Sequence, residues 1–595
     1  MFKLFKNLRK KDIGILLIAV ILIVMQVWLE IKIPDYMSSI TTLVETEGSQ
    51  MSDILKNGAY MIICALTSFA LAILVGYLVS NLSAVFSMRV RKKLFTKVEN
   101  LGLYEVKQFS TSSLITRTTN DITQLQMLLA MGTQMIIKAP ITAIWAISKI
   151  VTKSASWSIA TAVAVLILLA TIGIITILVL PRFKVVQKLT DKLNSVTREN
   201  LTGIRVVRAF NAENYQEEKF EKVNDKLTST QLFNHSAFAF FDPVMYLIMN
   251  LLTLAIYIIG TNLIINASLM NKVEIFGNMV VFISYAMQVI GSFLSLAFIF
   301  MMYPRAEISA NRINEVLDMK ESIKDGNFGR DSKDKKLKEI EEKEKGTVEF
   351  KNVYFKYEDA ESNLLEDINF KVNKGETVAF IGSTGSGKST LINLIPRFYD
   401  VTKGNILVDG IDVKDYTQEY LHDKIGYISQ SAVIFNDTLK NNIAFGDNGR
   451  EKIDESKVEK SIEVAQAKDF VEKMEDSYDT MMSRGGTNVS GGQKQRLSIA
   501  RAIARDPEIY IFDDTFSALD YKTDSNLRKA LKNYTKNATI LIVAQRVGTI
   551  MNADKIVVLD NGKVVGMGKH KDLLKNCEVY KEIALSQLTE KELEG

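Results

Sequence analysis

Hydrophobic positions are unevenly spread along the chain. Before about residue 310 they gather into long runs, and after it they alternate with polar residues as in a soluble protein. Six runs, at 13–29, 58–86, 128–150, 157–180, 241–265 and 276–302, each reach the length of about 20 residues that crosses a bilayer. The stretches after the second and fourth runs, "MRVRKKLFTKVENLGLYEV" and "VVQKLTDKLNSVTRENLTGIRVVRAFNAENYQEEKF", are polar but keep helical apolar spacing. They read as helices that continue well beyond the membrane, since connections this long are seldom structureless inside a folded domain. Residues 319–346, "MKESIKDGNFGRDSKDKKLKEIEEKEKG", are dense in charge and nearly free of large apolar residues. Their natural reading is a tether. The expected divisions are a transmembrane domain at 1–318, a charged linker at 319–346 and a soluble domain at 347–595.

Charge orients the spans. Basic residues cluster before the first run (Lys3, Lys6, Arg9, Lys10, Lys11), after the second (Arg89, Arg91, Lys92, Lys93, Lys97), between Arg182 and His235, and after the sixth (Arg305, Arg312). By the positive-inside rule these flanks are cytoplasmic, so both termini are inside. Lys149 and Lys153 are the exceptions on the outer side. No small-residue cleavage site follows the first run, so it reads as a retained helix rather than a secretory signal. The expected location is a bacterial inner, cytoplasmic membrane, crossed several times. The 595 residues carry 73 basic and 68 acidic side chains, a net +5, too small an excess to argue for nucleic acid. Two cysteines, Cys64 and Cys577, and three histidines offer neither a disulfide framework nor a metal-ligand cluster.

Within the spans, Asn81, Asn250 and Gln288 are polar. They either line a pathway or bond between helices. Met131, Met135, Met245, Met249, Met279 and Met287 either form an adaptable pocket or fill gaps. Asp242, just before Pro243, reads as a helix cap or break near the cytoplasmic face.

The second half carries phosphate chemistry. "ETVAFIGSTGSGKSTLINLI" from Glu376 is an apolar strand-like run, a G-x-x-x-x-G-K-S match and a helical pattern. This is the context that a phosphate-binding loop requires. Gly382, Ser383, Thr384, Gly385, Ser386, Gly387 and Thr390 form the loop, whose glycines let backbone N–H groups close around phosphate oxygens. Lys388 neutralises the outer phosphates, Ser389 takes Mg²⁺, and the helix N-terminus favours anions. "EIYIFDD" (508–514) is an apolar strand ending in acids, and Asp513 at its end suits the Mg²⁺ shell. Tyr357 in "VYFKYED" is an aromatic near a strand end that either stacks on adenine or serves the local structure. The ligands implied are ATP and Mg²⁺.

"NVSGGQKQRLSIARAI" (488–503) resembles the signature stretch of ATP-binding cassette (ABC) proteins, with Ser490, Gly491, Gly492 and Gln493 as its core and Val489 where leucine is usual. The order of elements is similar too: Tyr357, the phosphate loop, Gln430 in "GYISQ", the signature, "FDD", "SALD" and a switch position at 545. Six spans followed by one such domain resemble an exporter-type half-transporter, and "RENLTGIRVVRAFNAENYQEEKF" and "RAEISANRINEVLD" resemble its membrane segments. The fold implied is an α-helical six-span membrane domain followed by an α/β P-loop ABC ATPase domain. The resemblance implies two nucleotide units facing head to tail, each ATP lying between one chain's phosphate loop and the other's signature, with Gln430 joining Ser389 and Asp513 at Mg²⁺ and Asp520 at the seam.

Three positions depart from the family pattern. Asp514 stands where glutamate polarises the attacking water, Gln545 where histidine contacts the γ-phosphate, and Ser483 where an acid is usual. Aspartate is shorter by about 1.5 Å. A displacement of about 1 Å can cost on the order of 10²-fold in rate, and loss of a general base about 10²–10⁴-fold. The binding parts and the signature are intact. The expectation is therefore one half of a heterodimeric multidrug-type exporter of small amphipathic or hydrophobic molecules, peptides included. This chain would hold ATP at an impaired site and lend its signature to a partner subunit with complete catalytic residues. The alternatives are a slow homodimer, an importer, or an ATP-gated channel or regulatory receptor on the same fold.

Overall fold

The structure, a computed structural model, describes residues 2–6, 8–46, 48–446, 453–589 and 592–593. It divides into two compact units: residues 1–99 with 109–319, and residues 100–108 with 320–595.

The first unit is helical. Six helices long and apolar enough to cross a membrane lie at Lys10–Glu45, Met51–Glu99, Thr111–Val151, Ala155–Thr202, Glu213–Ile265 and Asn271–Asp318. The second has 49 residues, about 74 Å at 1.5 Å per residue, more than twice a hydrocarbon core of about 30 Å. The helical spacing read beyond the second and fourth runs is thus realised as direct continuation of the spans. A π-helical turn at Leu128–Gly132 interrupts the third. Ile23, Val27, Val79, Trp157, Phe282 and Tyr285 are buried between the helices, while Leu17, Ile21, Ile62, Leu66 and Phe69 are exposed. This is the distribution of a bundle whose outer face meets lipid rather than water. Met245 and Met279 are buried in this core and fill it. Asn81 and Asn250 lie on exposed faces. Asp242 lies in the first turn of the helix Phe241–Ile265.

The second unit is α/β. Strands β1 (Val348–Phe355), β2 (Leu365–Val372), β4 (Lys403–Val408) and β5 (Ile411–Asp412) form an antiparallel sheet in the order β2-β1-β4-β5. Strands β3 (Thr377–Gly382), β6 (Ile425–Ile428), β7 (Ile509–Asp513), β8 (Thr539–Val543), β9 (Lys555–Asp560) and β10 (Lys563–Gly568) form a second, in the order β10-β9-β3-β8-β7-β6. In it β9, β3, β8, β7 and β6 run parallel. β7 and β8 are buried at every residue, as a sheet covered on both faces demands.

The stretch read as a tether is instead folded onto this unit. Phe328 is buried, its ring is edge-on to Tyr416, and its backbone exchanges hydrogen bonds with Asp415 and Thr417. A helix at Lys335–Lys343 follows. Its Glu341 accepts from Tyr420 and pairs at 2.6 Å with Lys424, which is also 2.7 Å from the buried Asp409. Low apolar content concealed an ordered strap because it docks through few apolar residues and through charged ones, among them Asp325, Arg330, Glu341 and Glu344. Residues 100–108 also belong here: Glu105 accepts from Ser322 N, and Lys107 donates to the Tyr399 hydroxyl.

Candidate functional site

The parallel sheet explains how distant residues meet. The loops that follow β3, β6, β7 and β8 all leave from the same, carboxyl-terminal edge, where α/β sheets bind ligands. β7 and β8 are in register with Asp513 opposite Val543, and β6 and β7 with Ile428 opposite Phe512. Gln430, Asp513, Asp514 and Gln545 therefore emerge at one level beside the loop after β3.

That loop is shaped by its glycines. A Cβ on Gly382 would lie 2.0 Å from the Leu559 carbonyl oxygen, and Gly387 has φ +94°, a left-handed conformation that side chains rarely adopt. The helix Lys388–Asn393 begins directly after it. Lys388 Nζ donates to the carbonyls of Gly382 and Ser383 at 2.8 and 2.7 Å, so its ammonium curls over the loop. Ser383, Thr384 and Gly385 are exposed at the crest, and Ser386 and Thr390 are buried beneath it. Ser389 Oγ donates to Asp513 Oδ1 at 2.8 Å. Adjacent ligands of an octahedral Mg²⁺ lie about 2.9 Å apart, from its bond length of about 2.0–2.1 Å. The pair thus fits two neighbouring positions of that ion. Among the described residues no group of three or more His, Cys, Asp or Glu is placed to hold a metal ion.

Burial pushes the Asp513 and Asp514 carboxyls up from the usual range and the Lys388 ammonium down. All three charges are under-solvated. A magnesium–triphosphate would supply the opposite charge to each.

The two unusual residues touch. Gln545 Nε2 donates to Asp514 Oδ2 at 2.7 Å, and Gln430 Nε2 donates to the same oxygen at 3.3 Å. Asp514 has φ +47°, a region that aspartate tolerates better than most residues. Gln587 was not foreseen from the sequence. Its amide donates to the Gln545 carbonyl at 2.8 Å and accepts from Val547 N at 2.9 Å, clamping the switch loop. An isolated glutamine near a C-terminus carries no motif by which it could have been found. No histidine replaces the missing one: His422 bonds the Pro396 carbonyl and His570 the Tyr580 hydroxyl, while His235 lies in the other unit. Tyr357 bonds Thr390 through its hydroxyl and meets Tyr399 edge-on, 5.4 Å between centroids.

Residues 16–293 match the family described as the ABC transporter transmembrane region, and residues 365–517 match the family described as ABC transporter. The chain belongs to the ABC transporter family. It is 35% identical over 555 residues to an uncharacterised ABC transporter ATP-binding protein of Mycobacterium tuberculosis, covering 93% of both chains. It is 34% identical over 538 residues to one of Bacillus subtilis, 89% of each, and 30% identical over 519 residues to an ATP-dependent lipid A-core flippase of Haemophilus ducreyi, 86% of this chain and 85% of that one. A solved bacterial Atm1-family ABC exporter with ATP bound shares its fold, with TM-score 0.78 over 96% of this chain and 98% of that chain at 22% identity. A membrane domain fused to an ABC ATPase domain makes this an ATP-driven transporter.

The signature of this ABC transporter opens the helix Gly491–Ala504. Ser490 and Gln493 bond each other reciprocally as a capping box, so those two have a local reason to be present. Gly491 has none: a Cβ there would meet nothing within 4 Å. Ser483 bonds Thr487 and Asn488 at 2.9 Å each, which knits the loop before the signature. Asp520 caps the helix Tyr521–Tyr534 by accepting from Thr523 N.

Proposed function

We propose that this chain is the impaired-site half of a heterodimeric ABC exporter, located in a bacterial cytoplasmic membrane with both termini inside. The observation that carries the reading is the Gln545–Asp514 hydrogen bond. A water activated by Asp514 would need a free, well-placed carboxylate oxygen. Two amides on Oδ2 fix the orientation of the carboxylate, and the side chain is one carbon shorter than glutamate. A glutamine at the switch position can donate to a phosphate but cannot gain or relay a proton as histidine can.

Binding is a separate matter. Gly382–Thr390 and Asp513 have the shape and charge to hold Mg-ATP, with Lys388 against the outer phosphates, Ser389, Gln430 and Asp513 around the metal, and Tyr357 beside the base. Mg²⁺ would draw charge from the phosphate oxygens. The chain's own contribution is to fix those oxygens and hold the site without turning it over. The open space above Gly491 fits a surface kept flat for a second chain, whose ATP would lie against Ser490, Gly491, Gly492 and Gln493. The partner is then a half-transporter with glutamate and histidine at the two altered positions. Cargo is a small amphipathic or hydrophobic molecule, and a relative named as a lipid A-core flippase favours lipid-like character.

The test is ATP turnover by the purified chain alone. It binds Mg-ATP and hydrolyses it very slowly on this reading. Robust ATPase activity from the homogeneous chain contradicts it.

A further inference from the structure

The membrane unit holds two ion pairs where lipid would make them costly. Lys138 Nζ donates to Glu30 Oε1 at 2.8 Å, and Lys149 Nζ to Asp35 Oδ2 at 2.8 Å. Lys138 stands near the centre of the apolar run 128–150. Ser68, which also bonds Glu30, is ten residues into the run 58–86, about 15 Å deep, half of a hydrocarbon core of about 30 Å. The Glu30–Lys138 pair therefore lies within the apolar depth of the second and third spans, one residue past the end of the first apolar run, where an ionisable side chain marks function more often than packing.

Both partners are partly open, with 38% of the Lys138 and 29% of the Glu30 side-chain surface exposed. That opening does not face lipid. On the third span, Ile136, Ile144, Ile147 and Val151 are exposed along one aliphatic face, with the exposed Ser148 at its edge. Lys138 belongs to a different stripe. Met131, Met135, Lys138, Thr142, Trp145 and Lys149 follow one another at alternating steps of four and three, the spacing of a single helix face. Thr142 Oγ in that stripe is buried and has no hydrogen-bond partner. On the first span, Glu30 lies opposite the exposed Leu17, Ile21, Met25 and Trp28. The third span thus carries an exposed aliphatic face and, apart from it, a half-buried stripe of polar residues and methionines on which the ion pair lies.

The pairs are unequal. Glu30 also accepts from Gln26 at 2.8 Å and from Ser68, so its carboxylate stays bonded when Lys138 leaves. Asp35 likewise keeps the Tyr285 hydroxyl at 2.5 Å. An ammonium has three donors, and each lysine is held chiefly by one carboxylate. With Lys32 beside Asp35, the cluster has three positive and two negative charges.

We propose that this face of the third span lines the transport pathway and binds an amphipathic molecule with an anionic head. Lys138 recognises the head by swinging from Glu30, Lys149 stands as a second station toward the outer side, and Met131, Met135 and Trp145 take the apolar body. This names the cargo class for the transporter reading above and rests on it.

The test uses the full chain in nanodiscs of zwitterionic lipid with three probes of one length: dansyl-labelled undecanoic acid, its primary amide and the matching primary amine, with empty nanodiscs subtracted. The acid is expected to bind about 10-fold tighter than the amide, the scale of one charge-assisted hydrogen bond, and tighter still than the amine. Lys138→Met and Lys138→Gln are expected to abolish the preference, Lys138→Arg to keep it and Glu30→Gln to leave it intact. Equal binding of acid and amide by the unmodified chain overturns the proposal without any variant, as does a preference that survives both neutral substitutions. Mg-ATP binding followed in the same samples separates the two readings. ATP binding without acid preference refutes this proposal alone, and acid preference without ATP binding refutes the proposed ATP-holding site alone.

Discussion

Asp514 and Gln545 form one unit through their 2.7 Å hydrogen bond, so restoring one alone leaves a mismatched pair. The double substitution Asp514→Glu with Gln545→His is expected to raise ATP turnover of the homogeneous chain by about 10²-fold or more, because the intact signature of a second copy is available to it. Steady-state phosphate release measures this, and an unchanged rate would place the defect elsewhere. Lys388→Ala removes the cation curled over the loop and is expected to weaken Mg-ATP binding by about 10-fold or more, read by equilibrium titration. At this scale the sequence was informative wherever chemistry and spacing coincide, as at Gly382–Thr390 and Asp513. It was silent on Gln587, whose clamp on residues 545–547 arises only when the C-terminal segment folds back, and on the Glu30–Lys138 pair, which joins two spans 108 positions apart.

Among the elements, the six spans and the strands ending at Gly382 and Asp513 were legible because each is a continuous apolar run, while most of the remaining strands carried no motif and were not read. The strap at 320–346 was not legible, because docking there depends on a handful of residues. Its Glu341 reaches Lys424, which is buried with Asp409 and Glu508 nearby. The Lys424 carbonyl accepts from Glu508 N and Ile509 N at the root of β7, the strand that ends in Asp513. Burial raises the Asp409 carboxyl to about 6, so this group depends on its lysine. Lys424→Met leaves the acids uncompensated and is expected to cost about 3–5 kcal/mol, seen as a lower thermal midpoint for the full chain. An unchanged midpoint would mean that the strap is not held by this pair. The turn before the helix Glu213–Ala239 makes a different case. Asn211 takes φ +51°, and Phe210 and Tyr215 beside it are exposed. Replacing Asn211-Ala212-Glu213 with three glycines is expected to leave ATP binding intact while substrate transport into inverted vesicles is lost. Survival of both transport and ATPase activity makes the turn an ordinary loop.

For the whole molecule, the account requires two sites with different fates. On the proposed function, the ATP held by Lys388 and Ser389 would keep the nucleotide units together and bias the membrane halves between inward and outward states, and the partner's ATP would be hydrolysed against this chain's signature. The requirement is sharp at Gly491, whose own fold leaves room for a side chain. A large residue there perturbs only what approaches from outside, so a loss caused by it is a loss at the seam between chains. The decisive measurement is steady-state ATPase activity of the assembled transporter carrying either Gly491→Trp or Asp514→Asn in this chain. The account predicts that Gly491→Trp removes most turnover while Asp514→Asn changes it only modestly. Asp514→Asn abolishing activity as completely as Gly491→Trp would mean that both sites hydrolyse, and would contradict it.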